Sequence, residues 1–158
     1  MKVVIIGSAH PLRGGLAAYN ERLAKAFIDN GDDVTIYSFS LQYPGFLFPG
    51  KSQYTDEPAP KNLKIKTCIN SINPFNWMMV GNEIKNLKPD LVICKFWLPF
   101  MGPCFGTILR KIKKNKHTKI ISIIDNIIPH EKRFGDRSFA NYFVKPVDGF
   151  IAMSKSVL

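Results

Sequence analysis

Short apolar runs punctuate this chain, and polar segments with helically spaced apolar positions separate them. Val3–Ile6, Leu91–Cys94 and Lys119–Ile124 are apolar almost throughout, the pattern of strands buried on both faces. Val34–Phe39, Leu63–Thr67 and Gly149–Met153 read as further strands. Leu16, Tyr19, Leu23 and Phe27 recur at helical spacing, and Gly31 follows as a stop. Further helices are predicted over Pro74–Asn86, Phe100–Lys114 and Ser138–Val144. The second of these turns Met101, Phe105, Ile108, Leu109 and Ile112 inward. Residues 40–60 carry prolines and aromatics without a period and read as a long irregular loop. Strands alternating with helices predict an α/β domain: Rossmann-like, with a mostly parallel sheet and helices on both faces. Ligands of such sheets collect outside the strands' C-terminal ends, where strand order reverses. That rule nominates the loops after Ile6, Phe39, Cys94, Ile124 and Met153.

Composition narrows this picture. A chain of 158 residues suffices for one core and is short for two. The four apolar residues before Gly7 are too few for a signal peptide, and no apolar run is long enough to cross a bilayer. Three cysteines without a C-x-x-C fit a reduced, cytoplasmic compartment. The net charge of +10 admits nucleic acid, an anionic membrane surface or anionic small ligands as partners. The densest basic cluster, Lys111–Lys116, falls in the last turn of a helix, where cations complement the helix dipole. Basic residues are not interleaved with stacking aromatics, and no nucleic-acid motif is present, so no nucleic-acid partner is expected.

The first loop, GSAHPLRGG, carries the first candidate chemistry. A dinucleotide fingerprint needs G-x-G-x-x-G directly after the strand, and a Walker A loop must close on G-K-[ST]. Neither spacing is met between Gly7 and the Gly14-Gly15 pair. What remains is a wide loop delivering two glycines to a helix N-terminus, where free N–H groups and the dipole favour an anion. Arg13 adds a cation there. The competing view is that the glycines only make the turn.

The second candidate is IIDNIIPHEKRFGD, which places Asp125, Asn126, His130 and Glu131 at or beyond a strand's C-terminal end. These groups suit hydrogen bonds to sugar hydroxyls or a phosphate; the plainer alternative is a charged surface loop. H-E-x-x-H would need a histidine where Phe134 stands, so no zinc site is read here. VICKFWLP ends a strand with Lys95, Phe96 and Trp97, aromatics that read as core. Most of NPFNWMMV is likewise expected to be core, and any exposed surplus would make a membrane-facing surface.

The first strand, the loop ending Pro-x-x-Gly-Gly and the helix YNERLAKAFIDNGDDVTIYS together resemble the start of the family 4 nucleotide-sugar glycosyltransferases. LKPDLVIC resembles that family's "kPDvvh" strand, and VDGFIAMSKSVL is similar to its "aD.vi.vS" strand and following helix. DNIIPHE looks like a variant found in a bacterial subgroup. The resemblance covers essentially the whole chain.

It implies half of a retaining GT-B enzyme. Residues 1–158 would be the N-terminal, acceptor-side domain, and a C-terminal donor-binding domain would lie outside this chain. The whole enzyme would move a sugar from a nucleotide-sugar to a glycan or lipid-linked acceptor, as in polysaccharide biosynthesis. It would need no metal and no cofactor, and would work in the cytoplasm or at the inner membrane face. This half alone would be inactive. Gly14 and Gly15 would face the donor diphosphate or transferred sugar. Many members carry a sugar-contacting His where Ile124 stands, and His130 lies six residues later. Ser154 reads as the N-cap of a helix with only four residues after it, which suggests a fragment of something longer. A non-catalytic Rossmann-like binding module, peripheral to membranes, is the alternative.

Overall fold

The computed structural model describes residues 1–47, 52–125 and 133–154. Six strands form one sheet: β1 (Lys2–Ile6), β2 (Asp33–Leu41), β3 (Lys64–Asn70), β4 (Leu91–Phe96), β5 (Lys119–Ile124) and β6 (Gly149–Ala152). Helices α1 (Gly15–Asp29), α2 (Pro74–Leu87), α3 (Gly102–Lys113) and α4 (Asp136–Val144) join them. The sheet runs in the order β3-β2-β1-β4-β5-β6, and every pairing is parallel. It is an open Rossmann-like α/β sheet. Chain progression reverses between β1 and β4, so the ligand crevice expected of such sheets opens above their C-terminal ends.

Two apolar layers sandwich the sheet. On one face Val3, Ile5, Ile93 and Ile123 pack with Val34 and Ile36 beneath α1. On the other, Val4, Ile6, Val92, Cys94 and Ile120 meet α2, α3 and α4 through Val80, Ile84, Phe105, Ile108 and Phe143. The predicted inner face holds: Phe105, Ile108, Leu109 and Ile112 of α3, and Met101 in the turn just before it, are all fully buried. Phe96 and Phe143 stack at 4.1 Å between ring centroids. Gly102 and Gly106 let α4 lie close: a Cβ on Gly102 would stand 2.4 Å from the Phe139 carbonyl oxygen.

Other expectations shift. The predicted stripe of α1 packs on the sheet through half-buried Tyr19, Leu23 and Phe27, and small and polar residues, Ala17, Asn20 and Ala24, form its fully buried line. That composition lets the helix approach the sheet closely. Strand β3 is longer than expected and is an edge strand, with Lys64, Lys66 and Thr67 exposed, because one side of it has no neighbouring strand among the described residues. The expected core character of NPFNWMMV is corrected: Trp77 packs on the core, but Phe75 is 87% and Met79 62% exposed. Helix α2 presents one face to α3, and these side chains fall on the other. The helix expected after Ser154 lies outside the described residues. The basic last turn of α3 is as expected, with Lys113 bonded to Asp148 at 2.8 Å.

Candidate functional site

Backbone and side-chain bonds fix the loop between β1 and α1 along its length. Gly7 N–H continues the sheet to the Tyr37 carbonyl at 3.1 Å. Ser8 Oγ donates to Gln42 Oε1 at 2.7 Å, and Ala9 N–H donates to Ser38 Oγ at 3.0 Å. Glu21 accepts from His10 N–H at 2.7 Å. Leu12 bridges Tyr54 in antiparallel fashion, and Arg13 N–H donates to the Gln53 carbonyl at 3.0 Å. Residues 52–57 of the long loop thus clamp the first loop from outside. Within it, buried Asn20 donates from Nδ2 to the Ser8 carbonyl at 2.9 Å. Gly7 is required by that contact, since a Cβ would stand 2.6 Å from Asn20 Nδ2.

The loop delivers α1 with a bare N-terminus. No side chain caps it and no acid lies in its first turn, which leaves backbone donors and the positive end of the dipole open to an anion. The two glycines differ. Gly14 has φ 112°, a backbone that side chains disfavour, so the turn itself accounts for it. Gly15 has no such φ, and a Cβ on it would meet nothing within 4 Å among the described residues. Neither conformation nor protein packing demands a glycine at 15. A cavity of about 380 Å³ opens beside this helix end, lined by His10, Arg13, Gly14, Glu21 and Glu57 among others. A smaller one of about 150 Å³ lies between Arg13, Gly14, Gln42, Tyr43 and Gln53. A roomier cavity of about 510 Å³ runs along Arg22, Lys25, Ile28 and residues 60–63. It adjoins the cavity at the helix end, sharing Ala18, Glu21 and Pro60 with it, and extends along α1 to Asp29.

Of the residues nominated from sequence, the structure brings Arg13, Gly14 and Gly15 together at this helix end, with Arg13 exposed. Asp125 stands one residue beyond β5, its N–H donating to the Phe96 carbonyl at 3.1 Å. Asn126, His130 and Glu131 lie outside the described residues. A further group belongs beside Asp125. Lys95, in the otherwise apolar LVICKF strand, is 4% exposed, and its Nζ lies 3.1 Å from Asp125 Oδ1. The same Nζ sits 3.7 Å from the centre of the Tyr19 ring. A lysine inside a buried strand was the sequence signal for it.

The cysteines supply no nucleophile to this region. Burial pushes the Cys94 and Cys104 thiols well up, and it raises Cys68 to about 11. Among the described residues no three His, Cys, Asp or Glu side chains are grouped to hold a metal ion. No helix of the described residues is long and apolar enough to cross a membrane.

No protein-family profile and no curated protein matches the sequence. Solved structures do match the fold. An alpha-glucosyltransferase in complex with UDP and DNA superposes over 100% of this chain and 38% of its own, with TM-score 0.59 and 11% identity. The UDP-GlcNAc 2-epimerase of Methanocaldococcus jannaschii matches over 98% of this chain and 40% of its own, with TM-score 0.58 and 11% identity. A wide-type short-chain dehydrogenase/reductase of Veillonella parvula, bound to NADP, matches over 96% and 67% at TM-score 0.50 and 12% identity. This chain spans about 40% of the length of the first two. Three different chemistries stand on one architecture, so the likeness is one of fold, and function has to be argued from the site.

Proposed function

We propose that this chain is the acceptor-side half of a GT-B enzyme that transfers a sugar from a nucleotide-sugar to a glycan or lipid-linked acceptor. The observation that carries the proposal is Gly15: an open glycine on an uncapped helix N-terminus at the switch of the sheet, with no structural need to be glycine. The missing side chain suits close approach of a diphosphate or the sugar attached to it. Two fold neighbours, one bound to UDP and the other a UDP-GlcNAc 2-epimerase, support the choice of nucleotide-sugar, as does the Pro-x-x-Gly-Gly loop. The loop's spacing speaks against a dinucleotide, although one fold neighbour is bound to NADP. In the proposed reaction, α1 and Arg13 counter charge on the departing diphosphate from this side of a cleft, an electrostatic role that needs no metal. A second domain outside this chain would supply the remaining donor contacts.

The test is nucleotide-sugar binding and turnover by the full-length protein that carries this chain, against a panel of UDP-, GDP- and ADP-sugars. Binding of at least one, with sugar transfer or slow hydrolysis, is expected. A protein that neither binds nor turns over any of them overturns the proposal.

A second surface fits a peripheral membrane partner. Ile72, Phe75, Met78 and Met79 are 51%, 87%, 40% and 62% exposed around the start of α2. With the basic balance of the chain, such a patch suits insertion at an anionic lipid surface. Salt-sensitive flotation with anionic liposomes is the expected result, and equal behaviour with neutral ones would count against it.

A further inference from the structure

Lys95 is placed where a structural residue of its type is a poor choice. Strand β4 alternates so that Leu91, Ile93 and Lys95 point to the α1 face, and the first two belong to its apolar layer. Ile6 pairs with Cys94 in register, so the next rung sets Lys95 level with Gly7, at the β1/β4 switch itself. An ammonium buried here loses its hydration, and an apolar side chain of similar length would fill the space without that loss. The surroundings offset the loss in two ways. The Tyr19 ring covers Nζ at 3.7 Å, and Asp125 Oδ1 lies 3.1 Å away. The pair is lopsided: the Lys95 side chain is 5% exposed and that of Asp125 32%. The cation therefore lies behind, and the carboxylate forms the front.

We propose that Lys95 is a positioning residue, which holds Asp125 so that its open side accepts hydrogen bonds from the hydroxyls of a sugar ring. This rests on the nucleotide-sugar reading and deepens it. A carboxylate at the front repels phosphate and accepts from hydroxyl groups. The crevice thus divides its work between an anion end, at the α1 N-terminus with Arg13, and a hydroxyl end at Asp125. Tyr19, on the first turns of α1, links the two by lying against Lys95. Its own hydroxyl reaches Met153 Sδ at 3.9 Å, which ties the arrangement to the end of β6. Without Lys95 the carboxylate would lose the charge that fixes its orientation, and the sugar would lose its acceptor while the diphosphate kept its donors.

The experiment compares UDP-glucose, UDP-GlcNAc and UDP alone, by calorimetry, on the full-length protein and its K95M, K95R, D125N and K95M/D125N variants. Thermal unfolding of each variant shows which are folded. In the unmodified protein, at least one UDP-sugar is expected to bind more tightly than UDP. K95M and D125N should each weaken that UDP-sugar about tenfold, the scale of one hydrogen bond to a charged group, and leave UDP unchanged. The double variant should be no weaker than either single one, and K95R, which restores the cation, should recover part of the loss. Equal weakening of sugar and UDP by a folded K95M, or additive losses in the double variant, overturns the positioning role while the nucleotide-sugar reading stands. UDP binding without any gain from the sugar in the unmodified protein also overturns it. A protein that binds a GDP- or ADP-sugar instead is compared on that sugar and its free nucleoside diphosphate, and failure to bind any nucleotide-sugar of the panel overturns both.

Discussion

Replacing Gly15 by valine separates a ligand-facing glycine from a structural one. The added Cβ would meet no heavy atom of the described residues within 4 Å, and the residue carries no left-handed φ. Valine is a better helix former than glycine, so the fold should change in stability by no more than about 0.5 kcal/mol in either direction. The effect on an anion is different in kind. The branched side chain would stand over first-turn N–H groups that no side chain caps. A charge-assisted hydrogen bond contributes about 1.5–3 kcal/mol, so loss of one weakens binding by roughly ten- to 100-fold. Gly14→Ala provides the contrast. At φ 112° an alanine is strained, and a destabilisation of roughly 1–2 kcal/mol is expected before any ligand is considered. The assay pairs chemical unfolding with nucleotide-sugar affinity in the full-length protein. Unchanged affinity in a folded Gly15→Val protein would refute the reasoning, because the glycine would then serve neither fold nor ligand.

Three further outcomes follow from the same geometry. Gly102→Ala drives a methyl to 2.4 Å from the Phe139 carbonyl oxygen, which is backbone and cannot swing away; a loss of roughly 1–3 kcal/mol in urea unfolding, with the α1 helix end unaffected, checks it. Phe75→Ser with Met79→Ser removes exposed apolar surface, so liposome flotation should drop while the unfolding midpoint stays within about 0.5 kcal/mol of the parent. Stability should fall in acid. The Lys2 N–H and then His117 hold Asp90 below its ordinary 3.8, and for Glu83 burial opposes the stronger effect of Lys66 and Tyr37, which keep it below 4.5. Carboxyls depressed in the fold add stability that is complete above those ordinary values and lost as pH falls through the lower folded ones. A midpoint that is flat from pH 5 down to pH 2 would contradict this.

The membrane and sugar readings make different demands on the molecule and can be tested apart. The exposed apolar side chains lie at the start of α2, beside the edge strand β3. The candidate site lies at the β1/β4 switch in the middle of the sheet. Loss of flotation should therefore leave nucleotide-sugar affinity unaltered.

The sequence by itself determined the order of elements and the parallel sheet. Strands apolar on both faces can be buried only between helical layers, and period-3.6 segments between them force crossovers. It also marked the inner face of α3, because all five predicted positions obey one helical period. It was misleading where a helix is shared between core and solvent: Phe75 and Met79 have core composition, but they lie exposed on α2. Periodicity predicts which residues lie together, not whether anything covers them. The Gly14-Gly15 pair was visible as a motif, yet its two members were indistinguishable until φ assigned one to the turn and left the other open. Lys95 and Asp125 stand thirty residues apart in the chain and meet because β4 and β5 are parallel neighbours, in register to Phe96 and Ile124. Tyr19 joins them because α1 crosses above. Pairing between strands is a long-range choice made by the packed sheet, so only the tertiary structure could turn a lone buried lysine into part of a site.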